Sequence, residues 1–484
     1  MIGAVLLIPV LTALLCYSVK NRRAIEYINL FGAFLLAGVS IPPIIATLSS
    51  PIFSLGSVLY MDALSSYIMA IVVLISLVTA IYSVDYMGQE IGSGIITIKD
   101  LRHYYALMHL FIFTMLLTTV SNNLAVFWIA IEGTTLVSAL LVGFYKSRQA
   151  IEAAWKYIIL CTVGITFALL GIFIAYYASV SVMGGKGTLN WTELKDIADR
   201  LNPSTMKLAF IFILVGYGTK AGFAPVHNWL PDAHSQAPTP ISALLSGILL
   251  KCSFIGIIRF IIIVNRSTGV AYTSQLMLFF GLLSMGIATA FILLQTNYKR
   301  LLAYHSIEHI GIIATGVGIG GFWGVYGSLL HIFNHAIVKT LLFFTTGEVR
   351  LRYHSTKIEK VKGVMTLMPV AGTIMLLAAL AIAGTPPFNI FLSEFIILKA
   401  AADYGKWTTL ALFIVFATII FGGVLHHFGS MAFGKPDISG GEKEGKTVSA
   451  VLIIMAVVMF VCGLYIPAFL EDLLHNSVRI IIGI

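Results

Sequence analysis

Apolar stretches long enough to cross a bilayer follow one another along nearly the whole chain, parted by short polar connections. At about 20 apolar residues per span, the pattern predicts fourteen helices. Their limits are 2–19, 25–48, 63–85, 103–120, 122–145, 151–180, 205–224, 241–264, 273–295, 299–318, 323–347, 367–400, 407–431 and 447–470. Segment 51–62 is short and mixed and reads as interfacial. A transmembrane barrel would show alternating segments of about ten residues, which this chain lacks. The fold class is therefore an all-α polytopic membrane protein.

Composition supports that reading: 11% of the 484 residues are charged and 58% are hydrophobic, whereas soluble domains are roughly a quarter charged. Met1 to Val19 is apolar and is followed by Lys20, Arg22 and Arg23. This reverses the order of a secretory signal peptide, so an uncleaved first helix with its N-terminus outside is expected. Sorting the loop bases on that basis puts seventeen inside, from Lys20 to Lys443 and Lys446, and seven outside. That bias follows the positive-inside rule and places both termini outside the cytoplasmic membrane. It also accounts for the net charge of +9 without invoking nucleic acid. Cys16, Cys161, Cys252 and Cys462 stand singly in apolar spans, a spacing that fits neither redox clusters nor a disulfide framework.

Six bases do not fit the loops: Lys156, Lys220, Lys251, Arg259, Lys339 and Lys399. Arg259 and Lys399 lie close enough to helix ends to snorkel, and Lys156 is near the start of its helix. Lys220, Lys251 and Lys339 lie deeper. A charge at mid-bilayer costs roughly 2.5–3.5 kcal/mol, so such groups have partners and work to do. Glu132, about 13 Å into its helix from Asn123 at 1.5 Å per residue, and Glu394 are the acidic counterparts. Structural glue between helices is the competing reading. Lys220 is followed by Gly222 and Pro225, and Glu394 is preceded by Gly384, Thr385, Pro386 and Pro387. Proline breaks a helix, and broken backbone at membrane depth survives only inside protein or beside water.

Two broken helices in two halves of a chain point to inverted repeats and an ion path. The repeats would be helices 4–8 (103–265) and 9–13 (266–431), flanked by 1–102 and 432–484. His331, His335 and Lys339 fall at i, i+4 and i+8, on one helix face. His305, Glu308 and His309 form a similar cluster one helix earlier. Histidine titrates near neutral pH, so such a row suits proton relay, with helix packing as the alternative. His305-x-x-Glu308-His309 also fits the inverted zinc-protease pattern. The third ligand is missing, since Glu348 lies at a helix end, and no metal is expected. Gly184 to Gly187 lacks the spacing of a phosphate loop.

The stretch Gly218-Thr-Lys-Ala-Gly-Phe-Ala-Pro-Val-His-Asn-Trp-Leu-Pro-Asp-Ala-His-Ser-Gln-Ala-Pro-Thr-Pro240 closely resembles the signature of a family of antiporter-like subunits. The family is shared by respiratory complex I, Mrp-type cation/proton antiporters and membrane-bound hydrogenases. The resemblance continues through Leu250-Lys-Cys-Ser-Phe-Ile-Gly256, Arg300-Leu-Leu-Ala-Tyr-His305, Leu330-His-Ile-Phe-Asn-His-Ala-Ile-Val-Lys339 and Gly384-Thr-Pro-Pro-Phe388, and covers about residues 60–430. It implies a fourteen-helix subunit with two inverted five-helix repeats and a hydrated, charged axis. Glu132 and Lys220 match its switching pair, Lys251 its central lysine, His331, His335 and Lys339 its connecting residues, and Glu394 its exit position. The double histidine in His-Ser-Ile-Glu-His resembles the hydrogenase-4 type. The expected function is translocation of H⁺ or Na⁺ in a redox-driven complex, with a stand-alone Mrp-type antiporter subunit as the alternative. No cofactor is expected in this chain. Iron–sulfur clusters and a NiFe centre would sit in partner subunits, which comprise other membrane subunits and a peripheral redox arm.

Overall fold

Helix starts follow from side chains that satisfy the first free backbone N–H groups. Asn21, Asp62, Thr97, Asn123, Ser147, Asn202 and Asn297 all accept such bonds, each cap contributing about 1 kcal/mol. In the computed structural model, which describes residues 1–436 and 444–483, the resulting helices are α1 (Ile2–Ser18), α2 (Arg22–Ala46), α3 (Ala63–Gly92), α4 (Ile98–Val120), α5 (Leu124–Val142), α6 (Arg148–Val182) and α7 (Pro203–Ala221). They continue as α8 (Thr239–Thr268), α9 (Val270–Leu293), α10 (Tyr298–Ile319) and α11 (Gly321–Tyr353). α12 has two arms, Pro369–Ile382 and Asn389–Asp403, and is followed by α13 (Trp407–Ala432), α14 (Lys446–Leu464) and α15 (Ala468–Ile482). Ten of these helices are long and apolar enough to cross a membrane. The protein is a polytopic α-helical membrane protein.

Segment 51–62 forms a small hairpin, β1 (Ile52–Ser54) paired antiparallel with β2 (Leu59–Met61). The C-terminal segment also departs from expectation. α14 stops at Leu464, and Pro467 precedes a separate helix, α15. α15 lays Leu473, Leu474 and Val478 against α3 and α11. Lys443, counted above among the inside bases, lies outside the described residues.

Both proline-bearing helices are interrupted as the sequence indicates. α7 ends at Gly222, whose φ of 89° suits glycine, and the chain resumes as a short helix, Leu230–Gln236. The arms of α12 are separated by Ala383 to Phe388. Its first arm is capped from afar, because Glu444 accepts bonds from the N–H groups of Val370 and Ala371 at 3.0 and 2.7 Å.

α8, α10 and α11 lie almost entirely inside the bundle. The most apolar windows of α8 and α11 are 100% buried, against 28% for α13 and 33% for α14. α8 contains a widened π turn over Leu245–Leu249, just before Lys251. Small residues let neighbouring helices meet closely. Gly281 and Gly311 oppose each other where α9 crosses α10. Gly463 of α14 rests on the α12 interruption, where a Cβ would lie 2.1 Å from the Pro387 carbonyl oxygen.

Candidate functional site

Burying α8 and α11 removes their polar side chains from both water and lipid, so each must find a partner within the bundle. Lys251, His331, His335 and Lys339 are all buried there. Lys251 Nζ donates to the Ser246 carbonyl at 2.5 Å, across the π turn, and pairs with His335 Nδ1 at 2.6 Å. Lys339 Nζ donates to the Leu302 carbonyl at 2.5 Å.

The histidines form a connected row with a readable proton arrangement. Ser393 donates its hydroxyl hydrogen to the Ile390 carbonyl at 2.9 Å, so it accepts from His331 Nδ1 at 3.0 Å. In the neutral ring His331 Nε2 then carries a lone pair, and His309 Nδ1 donates to it at 2.8 Å. His309 Nε2 is thus the free lone pair, and it is buried with no protein partner. An ammonium at Lys251 donates to His335 Nδ1, which puts the His335 proton on Nε2, a second buried atom without a partner. The His335 and His309 rings lie 4.7 Å apart between centroids. The row therefore runs from a donor end at Lys251 and His335 to an acceptor end at His309, His331 and Ser393. Glu394 closes it: one donor atom each of His309, His331 and Glu394 lies within 4.8 Å of the others.

His305 and Glu308 sit beside this row, joined Nδ1 to Oε2 at 2.8 Å. Thus seven of the ten residues singled out from the sequence (Lys251, His305, Glu308, His309, His331, His335 and Glu394) come together. Lys339 lies one turn along α11.

Glu132 and Lys220 form no direct ion pair. Thr162 of α6 donates to Glu132 Oε1 at 2.7 Å, while Oε2 has no partner. Lys220 Nζ instead donates to Thr135 Oγ1 at 2.9 Å and to the Tyr157 hydroxyl at 2.5 Å. It also lies 4.5 Å from the centre of the Tyr157 ring, which stacks on Trp229. The reason is positional. Lys220 occupies the last turn of α7 and reaches α5 one turn beyond Glu132, where hydroxyl groups hold its ammonium.

Arg259 does not snorkel. Its guanidinium donates two bonds to Asp62, at 2.6 and 2.7 Å, and lies 4.1 Å from the centre of the Trp191 ring. Lys399 is exposed and pairs with Asp403 at 2.5 Å, as a residue near a helix end should. Lys156 pairs with Asp232 at 2.5 Å, and Asp232 also holds Arg300.

Besides Asp62 and His109, three further buried groups were missed from the sequence. Glu90 is fully buried and accepts from Arg350 at 2.7 Å and from the Tyr145 hydroxyl at 2.6 Å. Lys299, counted as a loop base, donates to the Ala237 carbonyl at 2.6 Å. His234 is buried with both ring nitrogens unpartnered, stacked on Phe343 at 5.3 Å. Its place in the Pro-Asp-Ala-His motif was the available signal.

Residues 121–421 match the family described as NADH:quinone oxidoreductase/Mrp antiporter, TM. The chain is 34% identical over 466 residues to the hydrogenase-4 component F homolog of Methylacidiphilum infernorum, covering 96% of each. Among solved structures it resembles a chain of the membrane-bound sulfane sulfur reductase, an archaeal respiratory membrane complex, with a TM-score of 0.87 at 23% identity. That match covers 99% of this chain and 97% of the other. A chain of the Mrp complex from Dietzia sp. matches with a TM-score of 0.87 at 19% identity, over the same shares.

Proposed function

Because the chain belongs to the family of NADH:quinone oxidoreductase and Mrp antiporter membrane subunits, we propose that it translocates H⁺ or Na⁺ within a redox-driven membrane complex. The observation that carries this reading is the row of contacts from Lys251 through His335, His309 and His331 to Ser393 and Glu394, which joins the enclosed helices α8, α10 and α11 to the broken helix α12. The long match to a hydrogenase component favours a hydrogenase-type complex. Its partners would be further membrane subunits and a peripheral redox arm bearing iron–sulfur clusters and a NiFe centre. The chain would lie in the cytoplasmic membrane with both termini outside. α4 to α8 and α9 to α13 would be its two inverted repeats, centred on the interruptions of α7 and α12.

In this mechanism Lys220 and Glu132 act as a switch. Paired with an ionised Glu132, Lys220 keeps its proton, since an opposite charge nearby favours the ammonium. Held by Thr135 and Tyr157 instead, as described above, it has only neutral acceptors and gives its proton up more readily. A proton delivered to Lys251 passes to His335, and His335 Nε2 delivers it to the free lone pair of His309. His309 then releases its own Nδ1 proton to His331, and Glu394 receives the proton at the exit. Partner redox chemistry would drive the switch by displacing Glu132.

Replacing Lys220 by alanine should abolish coupled ion translocation in membrane vesicles while electron transfer in the partner subunits stays measurable. Persistent pumping would overturn the assignment. The second reading, a stand-alone antiporter subunit, draws on the fold shared with the Mrp chain. Purification in mild detergent separates the two: co-purifying subunits with iron–sulfur absorbance support the first, colourless hydrophobic partners the second.

A further inference from the structure

The H-x-x-E-H pattern on α10 gathers more donors than the relay uses. His305, Glu308 and His309 are buried on one helix face, and one donor atom from each lies within 4.8 Å of the other two. His309 belongs equally to the set formed with His331 of α11 and Glu394 of α12. The third ligand that the sequence could not supply thus arrives from neighbouring helices.

Both histidines of α10 keep a free lone pair. His305 Nδ1 is engaged by Glu308 and His309 Nδ1 by His331, and the Nε2 atoms of both are buried without a protein partner. An imidazole whose Nδ1 is fixed by a carboxylate or another acceptor, with Nε2 free, is the form in which histidine binds metals. Donors on one tetrahedral zinc ion, at about 2.0–2.2 Å each, lie about 3.3 Å apart. The 4.8 Å limit on the separation of these donors is within about 1.5 Å of that spacing. Imidazole suits zinc and its transition-metal neighbours, whereas magnesium and calcium require oxygen shells. Glu308 and Glu394 supply the negative charge that balances a dication.

We propose that His305, Glu308, His309 and Glu394 form a binding site for one divalent transition-metal ion of the zinc class, centred on His309, with His331 accepting the His309 Nδ1 proton and so aiming its free nitrogen. An ion there occupies the lone pair that receives the relayed proton, and so it blocks translocation. The binding claim stands on the geometry of the cluster. The blocking claim rests on the relay reading given under Proposed function.

The test uses the full-length protein with its co-purifying subunits, stripped with chelator and titrated with Co²⁺ as the only added metal. Expected are about one Co²⁺ retained per chain, the visible bands of tetrahedral cobalt, and displacement by Zn²⁺. His309→Gln should weaken retention by more than about 100-fold, beyond the loss caused by removing a supporting residue. His305→Gln and Glu394→Gln, at opposite edges of the cluster, cover the case in which His309→Gln does not fold, and each should weaken binding. Absence of a tetrahedral spectrum, or retention unchanged in these variants, overturns the site. Zn²⁺ added to proteoliposomes should then stop translocation. Cobalt bound tetrahedrally with no block by zinc would leave the site standing and overturn the relay. Zinc block without the cobalt spectrum would overturn the site.

Discussion

Ser393 shows how much a single hydroxyl group can decide. It spends its hydrogen on Ile390 and accepts from His331, and this fixes the proton position on both His331 and His309. Ser393→Ala should leave assembly intact and slow ion translocation about tenfold, the equivalent of about 1.4 kcal/mol in the barrier, measured as the initial rate of vesicle acidification. Arg259 makes a different prediction. Arg259→Ala strands Asp62 as a buried charge and should cost roughly 3–5 kcal/mol of stability, read as a lower melting temperature in detergent. Replacing Arg259 with methionine and Asp62 with asparagine together, which removes the charge and keeps the α3 cap, should recover most of that loss. These two classes of residue also differ in legibility. Lys220, Lys251 and the histidine row stand out in the sequence because each interrupts an apolar run. The partnership of Arg259 with Asp62 spans 197 positions, and Glu90 fell beyond the predicted end of its helix, so nothing local marked either.

At the level of elements, proline and glycine announced the interruptions of α7 and α12, and both occur where those residues stand. What the pattern could not show is what supports them. The α12 interruption is backed by Gly463, where a side chain would collide with backbone. Gly463→Leu should therefore push α14 away and cost about 1–3 kcal/mol by overpacking. The readout is thermal stability together with protease sensitivity near residue 385, and unchanged values for both would show that α14 is not a support. The π turn in α8 carries no composition signal, because Leu245 to Leu249 reads as ordinary apolar helix. α15 lies beyond the last of the fourteen predicted spans, because its apolar face is narrow and Pro467 cuts it from the span before.

For the whole molecule, burial orders the helices from the enclosed α8 and α11 out to α13 and α14. The outer helices present residues such as Leu412, Ile414, Ile454 and Val457 to the surroundings, as a lipid-facing shell requires. The orientation proposed from loop charge yields a direct check. Single cysteines placed at positions 3 and 483, in a chain whose four native cysteines are replaced by serine or alanine, should both react with a membrane-impermeant maleimide added outside intact cells. Protection of either would reverse the orientation. The π turn adds a constraint of another kind. It holds one residue more than a regular turn, and its slower winding absorbs the rotation of about 100° that one residue would otherwise add. Deleting any one residue between 245 and 249 would preserve every charged group in the chain. It would also let the turn close as regular α-helix, which keeps Lys251 in phase with the end of α8 that begins at Thr239 but closes the wide turn across which its ammonium reaches the Ser246 carbonyl. The axis is therefore specified by backbone geometry as well as by chemistry: the extra residue acts as a spacer that leaves the two ends of the helix in phase and opens one carbonyl between them to the ammonium.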